Sequence, residues 1–533
     1  MKTINKYIFI LLALSSFYNC DSFLEEDPRD IIAPENFFAT ESDARQAITG
    51  VYAIYKNNSI YGQVGLDHFY DNGADIIEPN RVANFVEAIG NYTMNEAVAD
   101  ESVQRMSVGD TWKDFYKIIL NCNIIVDRVD GNAAISQSAQ TDIIAEARLL
   151  RGLAYWHITN LWGDAPYYTE NININQIRTL GRTPKETILE GVLDDLEFAE
   201  SKLKSFYPEA QRGRASKWVA SIVIAKIYMQ EKKWQLGLDK CLEIINNSNH
   251  KILSSYADVF NPDNEYNSEI IWSLDFAKDI RSQYEEGLVD VAGGTLNPAW
   301  GNGNWRPSMF NPRLRDEPKN TSQRAALSAA LTARGEAFNG TGLQIASKDF
   351  AAKFPLNDLR RPLNVLDSYL GFELAFPYMP KFMNLKLDSS PRFNHSDNRM
   401  VFRLADVALM AAECENERPG GNPTTAYEYI KEIRERAYAT VGEAEAIKGL
   451  TQAQFRQAIY DERKWELAGE AHRRYDLIRW GILLDVVQNL EYRFWKPNEN
   501  IRPHHILLPV PLSELQLNPK LLESDPTNNG YRN

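Results

Sequence analysis

Apolar residues recur at helical spacing in two blocks of this 533-residue chain, from about residue 40 to 250 and from about 398 to 482. That periodicity constrains the fold more than any other feature. Over 143–161, Leu149, Leu153 and Trp156 share one face, and Gly163 and Pro166 end the run. Over 214–230, Trp218, Ile222, Ala225 and Met229 do the same. Glu231-Lys232-Lys233 then makes a short polar turn, and a second helix is predicted over 234–246. Two antiparallel helices in about 34 residues, with the small Ala225 and Gly237 at their crossing, have the dimensions of a tetratricopeptide unit. The second block repeats the design: a helix over 402–417, a Pro-Gly-Gly-Asn-Pro break at 419–423, and Thr424 as cap for a helix over 425–437. Hairpins of this kind stack into a curved helical scaffold.

Between the blocks, helical pattern gives way to Gly, Pro, Asn and aromatic residues, with short helical stretches such as 324–333. So much irregular chain in a compact protein points to function. IIWSLDF at 270–276 alternates like a buried strand, and 505–511 reads as a buried strand or extended segment. The predicted fold class is therefore all-α, a tetratricopeptide-like scaffold of helical hairpins with a large loop-rich region carrying short strands and helices. Its expected parts are a signal segment over 1–19, an N-terminal helical part over 20–250, an irregular ligand-binding part over 251–397, and a C-terminal helical part over 398–533 that closes on the first.

The N-terminus has Lys2 and Lys6 ahead of the apolar run 7–14, then Ser15, Ser16 and Cys20. The run is shorter than the ~20 residues a bilayer crossing needs, and its flanks fit a secretory signal. A Cys closing such a run marks Cys20 as a lipidation site, although Phe17 and Asn19 depart from the usual pattern. A plain secreted protein is the alternative. Loss of Lys2 and Lys6 would take the net charge from -14 to -16, so a lipid rather than charge would hold the protein to a membrane. An acidic chain without a basic block argues against nucleic acid. Cys122, Cys241 and Cys414 are far apart, lie in helical pattern and form no CxxC pair, which predicts buried free thiols rather than a metal or redox site.

Seven segments in order resemble the SusD/RagB family of outer-membrane nutrient-binding lipoproteins. They are FFATESDA at 37–44 continuing to Gly50-Val51-Tyr52, WKDFYKIILNCN at 112–123, AEARLLRGLAYWHITNLWGDAPYY at 145–168, GRASKWVASIVIAKIYM at 213–229, FRLADVALMAAECENE at 402–417, ERKWELAGEAHRRYDLIRWG at 462–481, and ILLPVPLSELQLNPKLLESDPTNNGY at 506–531. The resemblance implies a tetratricopeptide scaffold decorated with loops, capture of glycans or other large nutrients at the surface of a Gram-negative cell, and a lid-like partnership with a SusC-like TonB-dependent transporter. The acidic tract 21–27 after Cys20 also resembles the surface-export signal of such lipoproteins.

Most charged residues in these segments read as structural. Arg148 and Arg151 sit among Leu149, Leu150 and Tyr155, which predicts internal ion pairs. Glu462, Arg463, Glu466, Arg473, Arg474, Asp476 and Arg479 crowd one region, where opposite charges at helical spacing stabilise a scaffold. No HExxH, GxxxxGK[ST], GxSxG or dinucleotide fingerprint occurs. The chain is therefore not expected to be an enzyme, nor to carry a cofactor or a metal cluster. A hydrolase would need two placed carboxylates at a cleft, and nothing in the sequence marks such a pair.

Ligand contacts are expected first in GGTLNPAWGNGNWRPSMFNPR, 293–313. Trp300 and Trp305 stand among Gly, Asn and Pro, where a loop has few ways to bury both rings. A flat aromatic face suits the apolar face of a pyranose, and Asn302, Asn304 and Arg306 would serve its hydroxyls. The competing account has the tryptophans pinning the loop to the scaffold. A second candidate is 61–75, where His68, Tyr70, Asp71 and Asn72 offer aromatic, amide and carboxylate contacts in a region where the resemblance also implies them. Tyr284 is a weaker candidate. The expected function is non-catalytic binding of a polysaccharide or oligosaccharide and its delivery to the transporter. The main alternative is a tetratricopeptide scaffold that binds protein and no free sugar.

Overall fold

The computed structural model describes residues 38–62, 65–80, 85–102, 106–277, 303–386 and 395–532. The first block is built from α1 (Glu41–Tyr55), α2 (Gly65–Asp71), α3 (Val108–Val129), α4 (Gln137–Trp162), α5 (Lys185–Lys202), α6 (Lys217–Gln230) and α7 (Trp234–Asn247). Local chemistry sets several ends. The Thr40 hydroxyl accepts from the Asp43 amide, and the Asp43 carboxylate accepts from the Thr40 amide, a capping box that starts α1. Gly163, at φ +72°, stops α4 in a conformation that a side chain would strain.

Each long helix packs on the next, α3 on α4, α4 on α5, α5 on α6 and α6 on α7. The stack then continues directly into the second block. α7 packs on α8 (Leu404–Glu417), which packs on α9 (Pro423–Ala437) and α10 (Gln452–Glu466). The short α11 (Arg473–Arg479) returns to α2. Gly237 is the close point: a Cβ there would stand 3.0 Å from the Cys414 sulfur of α8 and 3.4 Å from Met229. The small residue expected at the α6–α7 crossing thus also admits α8. Cys122, Cys241 and Cys414 are buried free thiols, and burial pushes the Cys122 thiol up to about 12.

Three two-stranded antiparallel sheets occur among the described residues. Their strands are β1 (Ile77–Pro79), β2 (Ile270–Leu274), β3 (Gln344–Ala346), β4 (Leu366–Tyr369), β5 (Phe372–Tyr378) and β6 (Arg399–Arg403). β1 pairs with β3, β2 with β6 and β4 with β5. The fold is all-α with these small sheets confined to the decoration. One apolar core runs from Ala44 to Leu521 and draws on all three expected parts.

Two boundaries differ from the sequence reading. The helix expected from 402 begins at Leu404, because Arg399–Arg403 pairs as a strand with Ile270–Leu274. α9 is capped by Asn422, whose side chain accepts from the Thr424 amide, and Pro423 fills the first turn where no N–H is needed. The 505–511 segment splits. Pro503–Ile506 is a 3₁₀ turn, and the following residues extend along the end of α4, where the Leu508 amide donates to the Leu161 carbonyl at 2.7 Å.

Buried charge joins the second block to the middle of the chain. Arg403, at the end of β6, donates to Glu269, Glu466 and Glu470 at 2.6–2.7 Å. Arg360 reaches Asp358, Glu462 and Glu466, Arg434 reaches Glu462, and Arg436 reaches Glu269 and Glu466. Lys381 donates to Glu470 at 3.0 Å. Five cations therefore face five carboxylates, and every one of the ten residues is buried. Arg463 and Arg479 join Asp406, Asp476 and Glu413 in a neighbouring cluster with Lys226. Arg148 and Arg151 share Asp195. The charged residues of the family-like segments are structural, as expected, but they pair mostly between distant segments rather than at helical spacing, Arg479 with Asp476 excepted.

Burial alone would raise the carboxyls of Glu462, Glu466 and Glu470, but the facing guanidiniums, with Lys381 at Glu470, overcome it and hold all three below their ordinary value. Replacing Glu466 by Ala strands Arg360, Arg403 and Arg436, and urea unfolding should show a loss of about 3–5 kcal/mol. An unchanged midpoint would refute the network's role. The pH dependence has a definite sign. These carboxyls bind fewer protons folded than unfolded, so their stabilisation is complete above the ordinary 4.5 and fades as pH falls through the lower folded values. The thermal midpoint should therefore drop on acidification below about pH 4.5, with a shallower slope in Glu466→Gln.

Candidate functional site

The described end of the candidate loop, 303–313, is set into the scaffold. The Trp305 amide donates to the Gly62 carbonyl at 3.0 Å, and Asn304 and His395 exchange backbone hydrogen bonds at 2.8 and 3.2 Å. The Asn304 side-chain amide donates to the Asp397 carbonyl at 2.8 Å, and its oxygen accepts from the Arg306 amide at 2.9 Å. The Asn311 side chain donates to the Asn384 carbonyl and accepts from the Asn384 backbone amide, and the Asn384 side-chain amide donates to the Asp397 carboxylate. The described ends of three stretches, 63–64, 278–302 and 387–394, thus adjoin one hydrogen-bonded stem.

Within that stem Trp305 is 4 % exposed and packs into the main core, as the pinning account expects. Arg306 is buried. Its guanidinium lies 3.6 Å from the centre of the Phe382 ring and donates to Asp67 at 2.8 Å and to the Gly469 carbonyl. Burial, then the neighbouring Arg399, lowers its pKa to about 10, and it stays charged at neutral pH. Asn304, Trp305 and Arg306 therefore brace the loop in this arrangement, with their polar groups engaged by protein. Trp300, Asn302 and Tyr284 lie outside the described residues, as does Cys20.

The second candidate stretch is also engaged internally. His68, Tyr70, Asp71 and Asn72 are all buried. The Asn72 amide and Gln344 bond His68 Nδ1, and burial takes this imidazole down to about 3, so it is neutral. The Tyr61 and Tyr70 hydroxyls meet the two ring nitrogens of His157 at 3.1 and 2.9 Å. His157 is neutral by burial too, so it donates to one hydroxyl and accepts from the other. Asp71 accepts backbone N–H bonds from Ala471, His472 and Arg473 at 2.7–3.2 Å. Asp75 pairs with Arg473. These residues are the joint between α2 and the turn that leads into α11. Sequence chemistry identified a polar cluster, and the fold turned it inward.

A cavity of about 30 Å³ lies at this joint, lined by Tyr61, Tyr70, Trp156, His157, Arg399 and Tyr475 among others. That is room for roughly two water molecules, and a sugar ring does not fit.

One surface aromatic beside the stem escaped the sequence reading. Tyr266 is 42 % exposed, its hydroxyl lies near Asp275 and Asn398, and the Arg212 guanidinium lies 4.9 Å from its ring centre. Its setting, Asn264-Glu265-Tyr266-Asn267, reads as an ordinary polar turn. An aromatic residue inside such a turn is the one signal that would have drawn attention to it.

Comparison with known proteins agrees with this architecture. Residues 356–531 match the SusD family model, and residues 22–229 match a model described as starch-binding associating with outer membrane. The SusD-like protein P25 of Formosa agariphila is 68 % identical over 532 residues, covering 100 % of both chains. The starch-binding protein SusD of Bacteroides thetaiotaomicron is 24 % identical over 451 residues, 78 % of this chain and 77 % of that one. Among solved structures, surface glycan-binding protein A from Bacteroides thetaiotaomicron, in complex with laminarihexaose, superposes with a TM-score of 0.70 at 18 % identity, covering 92 % of this chain and 100 % of the other. With a relative so similar from end to end, and with this scaffold beneath it, the chain belongs to the SusD family, whose members bind carbohydrate without catalysis.

Proposed function

We propose that this protein is a lipid-anchored receptor of the outer-membrane surface that captures a polysaccharide or oligosaccharide and passes it to a SusC-like TonB-dependent transporter. The observation that carries the reading is membership in the SusD family, with residues 22–229 matching the model described as starch-binding and associating with outer membrane. The relatives named for starch and laminarihexaose agree with a glycan as ligand. Cys20 supplies the anchor, and no helix among the described residues is long and apolar enough to cross a membrane.

Physical support comes from the division of labour in the 293–313 loop. Asn304, Trp305 and Arg306 brace its end, which leaves Trp300 as the ring to stack on a sugar and Asn302 as a partner for its hydroxyls. Loops held on a rigid scaffold are where binding residues concentrate.

A protein-binding role gains support from one surface feature. Leu356, Leu359 and Val441 are 87 %, 57 % and 69 % exposed. Their loops are tied by a bond from Asn357 to Glu443 and by the Leu359 amide donating to the Ala437 carbonyl. Exposed apolar residues gathered in this way suit a protein contact, and such a contact is compatible with glycan capture.

Soluble protein beginning after Cys20, run by affinity electrophoresis through a panel of polysaccharides, should be retarded by at least one of them without releasing products. Trp300→Ala should weaken that retardation by about 1 kcal/mol or more, roughly fivefold in affinity, with the thermal midpoint unchanged. Retention by no polysaccharide, with capture of the transporter by the same protein, would leave the protein-binding scaffold as the function.

A further inference from the structure

Three aromatic side chains are exposed among the described residues, Phe206, Tyr266 and Phe494. Phe494 packs edge-on against Phe376, an apolar contact with no polar chemistry of its own. Tyr266 is set differently. Its hydroxyl lies beside the half-buried Asp275 and Asn398, and the Arg212 guanidinium stands 4.9 Å from the ring centre. Asn398 is itself fixed: its side-chain oxygen accepts from the Phe276 amide at 3.0 Å, and its own amide donates to Glu265.

The polar groups around the ring are of both kinds. Arg212 brings guanidinium donors to the ring. Asp275, half-buried, sets a carboxylate beside it. Burial, with Asp397 and Asp275 nearby, pushes the Glu265 carboxyl up to about 7 against the pull of the Asn398 amide. It thus holds a proton over part of the neutral range and can donate as well as accept. Lys56, half-buried over Phe276, adds a cation on the Asp275 side. A pyranose shows an apolar C–H face rimmed by hydroxyls, each both donor and acceptor, and this set answers both features.

The patch is continuous with the loop stem. Asn398 follows Asp397, whose carbonyl accepts from Asn304, and Phe276 is the penultimate described residue before 278–302. We propose that Tyr266, with Arg212, Asp275 and Asn398, forms a saccharide subsite beside that stretch, at which the ring stacks on one sugar unit while the carboxylate and guanidinium bond its hydroxyls. The proposal rests on the glycan-receptor reading above and extends it to residues outside the 293–313 loop.

The test uses the soluble protein beginning after Cys20 on a printed array of plant, algal and microbial polysaccharides, followed by titration of the best binder. Tyr266→Ala should lose at least fivefold in affinity with an unchanged thermal midpoint, and Tyr266→Phe should lose less. Should Tyr266→Ala prove unstable, Arg212→Ala at the surface decides, with an expected loss of about threefold. Wild-type affinity in the stable variants, alongside a loss in Trp300→Ala, would overturn the subsite and leave the receptor standing. Binding of the unaltered protein to nothing on the array would overturn both.

Discussion

Glu466 receives Arg360, Arg403 and Arg436 in a place where water cannot reach any of them, and the arrangement of the whole molecule follows from that requirement. A buried guanidinium is tolerated only when paired and hydrogen-bonded. Arg403 belongs to β6, Arg436 to α9, Glu466 to the end of α10 and Arg360 to the loop-rich middle, so their charges balance only when these elements lie together. Apolar packing would tolerate small shifts in such a junction, whereas hydrogen-bonded ion pairs at 2.6–2.8 Å do not. The network thus acts less as a source of stability than as a condition on geometry.

The loop stem depends on the same junction. Glu470, which receives Arg403 and Lys381, precedes the turn whose amides donate to Asp71, and the Gly469 carbonyl accepts from Arg306. Asp67 then pairs with Arg306 and Arg399. A path of ion pairs and hydrogen bonds therefore runs from the centre of the second block to the base of 293–313. The described end of that loop, 303–313, is thereby tied to the scaffold.

Helix periodicity made most of the scaffold legible. The pair expected over 214–230 and 234–246 is found at Lys217–Gln230 and Trp234–Asn247, and the short helix over 324–333 is found at Arg324–Ala333. The misplaced start at 402 has a definite cause. Arg399–Arg403 reads Arg-Met-Val-Phe-Arg, with no alternation to mark a strand, and its strand partner lies more than 120 residues away, where local pattern carries no signal. The candidate site was legible only in part. Trp305 and Arg306 looked available because Gly, Asn and Pro surround them, yet their burial partners, Phe382, Gly469 and Asp67, come from distant segments. Tyr266 was missed for the converse reason: its neighbours in sequence are ordinary, and its interest comes from Arg212, Asp275 and Asn398.

By itself the sequence determined the class of fold, the family, the acidic surface, and the internal role of its charged helical segments, because these depend on composition and on spacing within a few helical turns. Tertiary structure alone decided which charges pair, which aromatic rings face solvent, and that His68, Tyr70, Asp71 and Asn72 close a joint between the two helical blocks. Exposure and pairing are properties of residues brought together across hundreds of positions, and a one-dimensional pattern does not contain those distances.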